Sequence, residues 1–348
     1  MYSCIRFLLF LLPPETAHWV VLRGLNLLHR CRLLGRGVPS CNPQTVMGLD
    51  FANPVGLAAG LDKNGEYIDA LGCLGFGFIE VGAVTPKAQA GNPKPRIFRL
   101  KRHHALINAM GFPNKGLAYM IERLRRRRYQ GVLGVNLGKN ASTPLSEAVN
   151  DYKACMIGLY PYVDFLTVNI SSPNTPGLRE LQGGEYLDHL LETLKHEQTE
   201  LHRLHNKYVP LLVKVAPDLD DGDIHGMAAC FKRHNIDGVI ATNTSFSRQG
   251  VEEHKDSERF GGLSGRPIAE RANHVIAKLY EALGNDIPLI GVGGIDSVAS
   301  AKDKFAAGAS LIQVYTGLIY QGPGLVRELV KNTPDSSLVK RSGDTRSG

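Results

Sequence analysis

"FLTVNISSPNTPGL", residues 165–178, begins as an apolar run and turns into a mixture of asparagine, serine and proline. A strand covered on both faces reads as a nearly continuous apolar run, and prolines end strands. The stretch therefore reads as a short buried strand whose C-terminal end opens into a polar loop. Adjacent serines between asparagines offer more hydrogen-bonding groups than a turn requires. The loop is thus also a candidate site in which one serine performs chemistry.

The same pattern recurs along the chain. Apolar runs ending in Gly, Asn or Ser are "VGLAAGL" (55–61), "FIEVGAV" (78–84), "VLGVNLG" (132–138), "LLVKVAP" (211–217), "GVIATN" (238–243), "LIGVGG" (289–294) and "LIQVYTG" (311–317). With the first run they make eight, and helical stretches such as 185–206 and 267–283 supply the crossovers. Eight βα units over this length predict a (β/α)8 TIM barrel. A doubly wound sheet is the alternative, but its G-x-G-x-x-G turn after the first strand is absent.

Active sites of such barrels gather at the C-terminal ends of the strands. Those ends carry Asp62 and Lys63, Asn136, Asn169 with the serine loop, Lys214, Asn243 and Thr244, Gly293 and Gly294, and Tyr315. Lysines and asparagines in apolar strands are costly to bury without partners. So many at one end of successive strands predict a polar ligand. Glycines after strands 7 and 8 suit a phosphate, because they expose backbone N–H groups beside helix N-termini. A phosphate there, with Lys214 on strand 5, suggests flavin mononucleotide (FMN) lying across the barrel mouth. A lysine near its pyrimidine edge would stabilise developing negative charge. Asn108, Asn169, Asn174 and Asn243 each donate and accept through one amide, which suits a planar amide-bearing ligand. Lys63 suits a carboxylate. Ser172 qualifies as a general base only if the site favours its deprotonated form or relays its proton. Residue chemistry reaches a flavin enzyme acting on a small polar anion.

The composition, 43% hydrophobic and 21% charged, is that of a globular protein. A net charge of +7 fits an anionic ligand or membrane surface. No zinc-finger spacing or RNA-binding signature accompanies it, so no nucleic-acid partner is expected. The basic run "RLRRRRY" (123–129) reads as a solvated helix face. Six scattered cysteines without a C-x-x-C pair read as reduced, mostly buried thiols. His103, His104, His202 and His205 lack companion ligands, and no metal site is expected.

The N-terminus differs in character. "MYSCIRFLLFLLPPE" has an apolar stretch far shorter than the roughly 20 residues of a membrane span. Residues 15–34 then read as a helix, with Ala17, Val21, Leu25 and Leu28 on one stripe. Five arginines against one acid in the first 36 residues suit two helices lying in a membrane interface. A hairpin packed on the protein's own body is the alternative. Residues 35–44 read as a linker.

"AAGLDKNG" (58–65), "NAMGF" (108–112), "NISSPNTPGLRELQ" (169–182), "VKVAPDL" (213–219), "GVIATNT" (238–244), "GGLSGRP" (261–267) and "GVGGIDS" (291–297) together resemble dihydroorotate dehydrogenase. The likeness runs in order over residues 2–332 and is strongest to the membrane-associated, quinone-reducing branch. A serine stands in the loop after strand 4 where soluble branches have cysteine, and the N-terminal helices match that branch's quinone tunnel.

The resemblance implies two segments: 1–36, membrane and tunnel helices, and 37–332, the barrel with FMN and substrate; the polar remainder, 333–348, has no counterpart in it and reads as a disordered tail. The resemblance also implies ping-pong oxidation of dihydroorotate to orotate in pyrimidine biosynthesis, with Ser172 as base. Ubiquinone or menaquinone would be the final acceptor. With no arginine- and serine-rich transit-peptide pattern before the helices, the cytoplasmic face of a bacterial inner membrane is expected rather than a mitochondrion. The implied flavin contacts are Ala59, Gly60, Leu61, Asp62, Lys63, Ala83, Asn136, Asn169, Lys214, Thr242, Gly265, Gly294, Tyr315 and Thr316. The implied substrate contacts are Lys63, Asn108, Ala109, Met110, Gly111, Phe112, Asn169, Asn174, Asn243 and Thr244. His18 and Arg99 match the tunnel, and Ser171 should point away from the substrate. Three residues depart from the family pattern: Ala83 replaces a hydroxyl residue, Ala109 an arginine, and Thr316 a serine. A soluble fumarate- or NAD-dependent dihydroorotate dehydrogenase is the rival reading.

Overall fold

The computed structural model describes residues 2–34, 41–175 and 177–333. Residues 334–348 of the expected tail and 35–40 of the expected linker lie outside the described residues. Eight parallel strands close into a barrel in chain order: β1 (Val55–Leu57), β2 (Phe78–Val84), β3 (Val132–Leu137), β4 (Phe165–Asn169), β5 (Leu211–Val215), β6 (Gly238–Ala241), β7 (Leu289–Val292) and β8 (Leu311–Val314). All eight apolar runs are strands. Several are shorter than their runs, because the chain leaves the ladder where its side chains turn to the barrel mouth.

Aromatic rings fill the N-terminal end of the barrel. Phe78 and Phe165 stand edge-to-face at 6.2 Å, and Phe51 caps Phe78 at 5.2 Å. The rings fit because the neighbouring strands carry glycine. A Cβ on Gly56 would lie 2.3 Å from the Phe78 ring, and one on Gly134 2.0 Å from Phe165. Phe51 arrives on an antiparallel hairpin, Gln44–Val46 with Leu49–Phe51, beneath the barrel. With that end sealed by apolar packing, the polar strand residues collect at the other.

Over the C-terminal mouth lies a three-stranded antiparallel sheet of Ile97–Leu100, Ala105–Asn108 and Gly262–Gly265. Beside it sit helices α1 (Tyr2–Leu9) and α2 (Pro14–Arg30). They are fastened to the body at several points. Tyr2 donates to Ile319 O at 2.7 Å, Arg99 donates to Leu12 O at 2.7 Å, and Arg96 grips Glu15 at 3.1 and 3.2 Å.

Two expectations need correction. Only Cys155 and Cys230 are buried; Cys4, on α1, and Cys31, just past the end of α2, are exposed, and Cys41 and Cys73 are half-buried. On α2 the fully covered residues are Ala17 and Leu22, whereas Val21 and Leu28 stay 43% exposed. That stripe faces a cavity rather than the core.

Candidate functional site

One continuous cavity of about 600 Å³ runs from the barrel mouth out between α1 and α2. Its inner part is polar and its outer part apolar, and the strand ends explain the inner part. Glu80 (β2), Asn136 (β3), Asn169 (β4), Lys214 (β5) and Gln313 (β8) all turn inward above the aromatic plug, and each is at most 6% exposed.

These groups form a chain of fixed polarity. Both Glu80 carboxyl oxygens accept, one from Asn136 Nδ2 at 2.8 Å and the other from Gln313 Nε2 at 2.7 Å. An amide that donates with its nitrogen presents its oxygen elsewhere. Asn136 Oδ1 therefore accepts from Asn169 Nδ2 at 2.8 Å, and Asn169 Oδ1 accepts from Asn243 Nδ2 at 3.2 Å. Asn243 Oδ1 in turn accepts from the Thr244 N–H at 2.8 Å. Lys214 lies fully buried in the same wall. Burial lowers its affinity for a proton, and the opposite charge of Glu80 works against that loss.

The two serines of the loop part company. Ser171 is fully buried off the cavity, donating to Asn169 Oδ1 at 3.3 Å and accepting from Asn243 Nδ2 at 3.0 Å. Ser172 lines the cavity, and its Oγ accepts the Asn174 N–H at 3.3 Å. Asn174 also donates to Asn108 Oδ1 at 3.1 Å. Asn174 Oδ1, Thr244 Oγ1 and Gln313 Oε1 are buried without a partner, and all three residues line the cavity. A buried polar atom left unpaired costs about 1–3 kcal/mol. Three of them around one cavity point to a polar ligand.

Glycines shape the wall near β7 and β8. At Gly265, φ is +99° and a Cβ would lie 2.3 Å from His104 O; at Gly294, φ is +77° and a Cβ would lie 2.4 Å from Ala269 Cβ. Ser264 and Thr316 hydroxyls meet alongside at 2.8 Å. Tyr315 closes this side over Gly60, its phenol pushed up to about 12 by burial. Lys63 donates to Gly60 O, and burial followed by the Arg96 charge brings its ammonium down to about 8. His18 on α2 sits against the same loop. Burial and the Lys63 charge push its imidazole down to about 4, so it is neutral at ordinary pH.

Of the expected residues, Ala59, Gly60, Leu61, Lys63, Ala83, Asn108, Met110, Gly111, Phe112, Asn136, Asn169, Ser172, Asn174, Lys214, Thr242, Asn243, Thr244, Gly265, Gly294, Tyr315 and Thr316 all line this cavity, as do His18 and Arg99. Asp62 and Ala109 do not. The Asp62 carboxyl turns back to accept from the N–H groups of Asn64, Glu66 and Tyr67, bracing the loop from behind. The Ala109 N–H is spent on Arg96 O at 2.8 Å. Sequence reading passed over Glu80, Gln313 and Ser264. The first two were detectable as polar residues inside the apolar runs "FIEVGAV" and "LIQVYTG".

The sequence model of dihydroorotate dehydrogenase matches residues 42–336, which hold the barrel and the whole polar wall. The chain belongs to the dihydroorotate dehydrogenase family. A protein of Marinobacter nauticus named dihydroorotate dehydrogenase (quinone) is 54% identical over 333 residues, covering 95% of this chain and 98% of that one. One of the same name from Nitrosospira multiformis is 53% identical over 331 residues, covering 95% of each. Among solved structures, the Eimeria tenella enzyme crystallised with ferulenol superposes with a TM-score of 0.85 at 36% identity, covering 92% of this chain and 90% of that one.

Proposed function

We propose that this chain oxidises dihydroorotate to orotate, with FMN as its bound cofactor and a membrane quinone as final acceptor. The observation that carries the reading is the single cavity in which Ser172, the orphaned amide and hydroxyl oxygens and Lys214 open onto an apolar passage between α1 and α2. The residues fit the flavin. Gly265, Gly294 and Thr316 line one side of the cavity, where backbone N–H groups and the Thr316 hydroxyl suit a phosphate, and Gln313 Oε1 and Lys214 offer an acceptor and a cation to a polar ring system. When bound, FMN supplies the acceptor for the hydride that leaves substrate C6.

The chain's own residues do the rest. Asn108, Asn169, Asn174 and Asn243 hold the pyrimidine amides; the chain that starts at Glu80 orients Asn169 and Asn243, and the Asn174 amide donates to Asn108. Lys63 meets the carboxylate. Ser172 Oγ, in its deprotonated form, takes the C5 proton and ends as the hydroxyl; the hydrogen bond donated by the Asn174 N–H favours that deprotonated form over the neutral one. Loss of H⁺ from C5 and hydride from C6 leaves the C5=C6 double bond of orotate. Lys214 keeps a positive charge beside the ring that gains electrons.

The quinone end of the reading is supported by α1 and α2. Phe7, Leu8, Leu11 and Leu27 are each more than 60% exposed, an apolar surface suited to a membrane interface. Among the described residues no helix is long and apolar enough to cross a membrane. We place the protein on the cytoplasmic face of a bacterial inner membrane, shallowly inserted through these helices.

The test is Ser172→Ala, followed by bleaching of the flavin with dihydroorotate in a stopped-flow experiment. Flavin content should stay at the wild-type level while bleaching slows by about 10²–10⁴, the usual worth of a general base. Equal rates in variant and wild type contradict the assignment.

A further inference from the structure

Two arginine groups distant in sequence meet at a place the reaction does not use. Arg23, Asn26, Leu27 and Arg30 follow the i, i+3, i+4, i+7 spacing that puts residues on one helical stripe. Together with Glu66, Tyr67 and Arg123 they enclose a pocket of about 400 Å³. Arg123 opens the basic run of residues 123–128, so the run that reads as a solvated helix face delivers one member here. None of the three arginines lines the larger cavity, which takes Val21, Leu25 and Leu28 from a neighbouring stripe of α2.

The pocket's charge is not balanced from within. Its one carboxylate, Glu66, is taken up by Lys115 at 2.7 Å and the Tyr119 hydroxyl at 2.6 Å. That pairing also holds the Glu66 carboxyl below the usual carboxylate range. Two of the three arginines are steered by other groups. Arg123 donates to Glu66 O at 3.1 Å, and the Arg23 guanidinium stacks on Trp19 at 4.0 Å. Guanidinium groups fixed around a concave space bind phosphate bidentately. Two exposed apolar side chains of α2 lie at this rim: Leu27, 62% exposed, lines the pocket, and Trp19, 50% exposed, lies against the Arg23 guanidinium. An inorganic anion gains nothing from such a rim, whereas an anion carrying acyl chains buries it. Tryptophan and arginine side by side are also the residues favoured at the level of lipid headgroups.

We propose that this pocket binds the phosphate of an anionic phospholipid headgroup, with Arg23, Arg30 and Arg123 as the phosphate ligands and Trp19 and Leu27 against the acyl chains. The inference rests on the membrane reading above and adds a specific lipid class to it. Because the pocket stripe and the cavity stripe share α2, a lipid held here docks the helix with its cavity opening beside the bilayer.

The experiment uses the flavin-loaded full chain and vesicles of neutral phosphatidylcholine, alone or doped with phosphatidylglycerol, read by co-sedimentation. The variants are Arg23→Gln with Arg30→Gln, and Arg203→Gln as a control at an exposed position of the helix Gly184–His205, all checked for turnover with a soluble short-chain quinone. Wild type and Arg203→Gln should prefer the anionic vesicles, and the double variant should lose that preference by roughly fivefold per arginine. Its binding to neutral vesicles should match wild type. An unchanged preference in the double variant overturns the proposal. Inorganic phosphate binding as tightly as a short-chain phosphatidylglycerol, measured by calorimetry, overturns the lipid source in favour of a free anion. Wild-type protein that sediments with neither vesicle overturns the membrane reading itself, and the proposal with it.

Discussion

Lys63 sits in the cavity wall with its ammonium brought down to about 8 by burial and by the Arg96 guanidinium. An anionic substrate binds the protonated form better, so kcat/KM for dihydroorotate should fall as pH rises through about 8. At lower pH this group is charged and has no further effect. Replacing it with methionine should lower kcat/KM and flatten that alkaline limb; a limb that persists in Lys63→Met assigns it to another group. At this scale the sequence revealed what breaks an apolar run at its C-terminal end: Asn136, Asn169, Lys214, Asn243. Glu80 and Gln313 are equally polar and, like Lys214, stand inside their runs, where each of the two is the third residue. Their role as the start of the amide chain depends on hydrogen bonds between strands far apart in sequence, which no local pattern records.

The eight strands were legible because each is a nearly continuous apolar run, the mark of a strand covered on both faces. The sheet over the mouth was not. "IFRL", "ALIN" and "GLSG" are four residues each, and the last is half glycine, so neither length nor propensity marks them as strands. The hairpin below the barrel turns at Met47 and Gly48, with φ of 56° and 74° and without the usual Asn-Gly signal. For α2, periodicity found the apolar stripe but not what it faces. Val21 and Leu28 border the cavity, so Val21→Trp should narrow the apolar passage. Turnover with a long-chain quinone should then drop roughly tenfold, the equivalent of about 1.4 kcal/mol of binding. Flavin bleaching by dihydroorotate should be untouched. If both half-reactions slow equally, the passage is not the quinone route.

The molecule as a whole is a barrel sealed at one end by rings and open at the other to ligands. The seal depends on glycine meeting phenylalanine on adjacent strands, Gly56 with Phe78 and Gly134 with Phe165. Phe78→Ala should cost about 3–5 kcal/mol in chemical denaturation, as a buried ring usually does. Gly56→Ala alone should also destabilise, since its Cβ would strike the ring. The double variant should be more stable than the sum of the two losses, because the new methyl enters the space the ring left; strict additivity contradicts the packing account. The open end holds the central claim, that one cavity joins dihydroorotate at the strand ends to a quinone at α1 and α2. The most direct measurement is steady-state oxidation of dihydroorotate by the full chain with quinone, fumarate and NAD compared as acceptors. The account predicts sustained turnover with quinone and none with the other two. Turnover with fumarate or NAD that equals or exceeds turnover with quinone would contradict it.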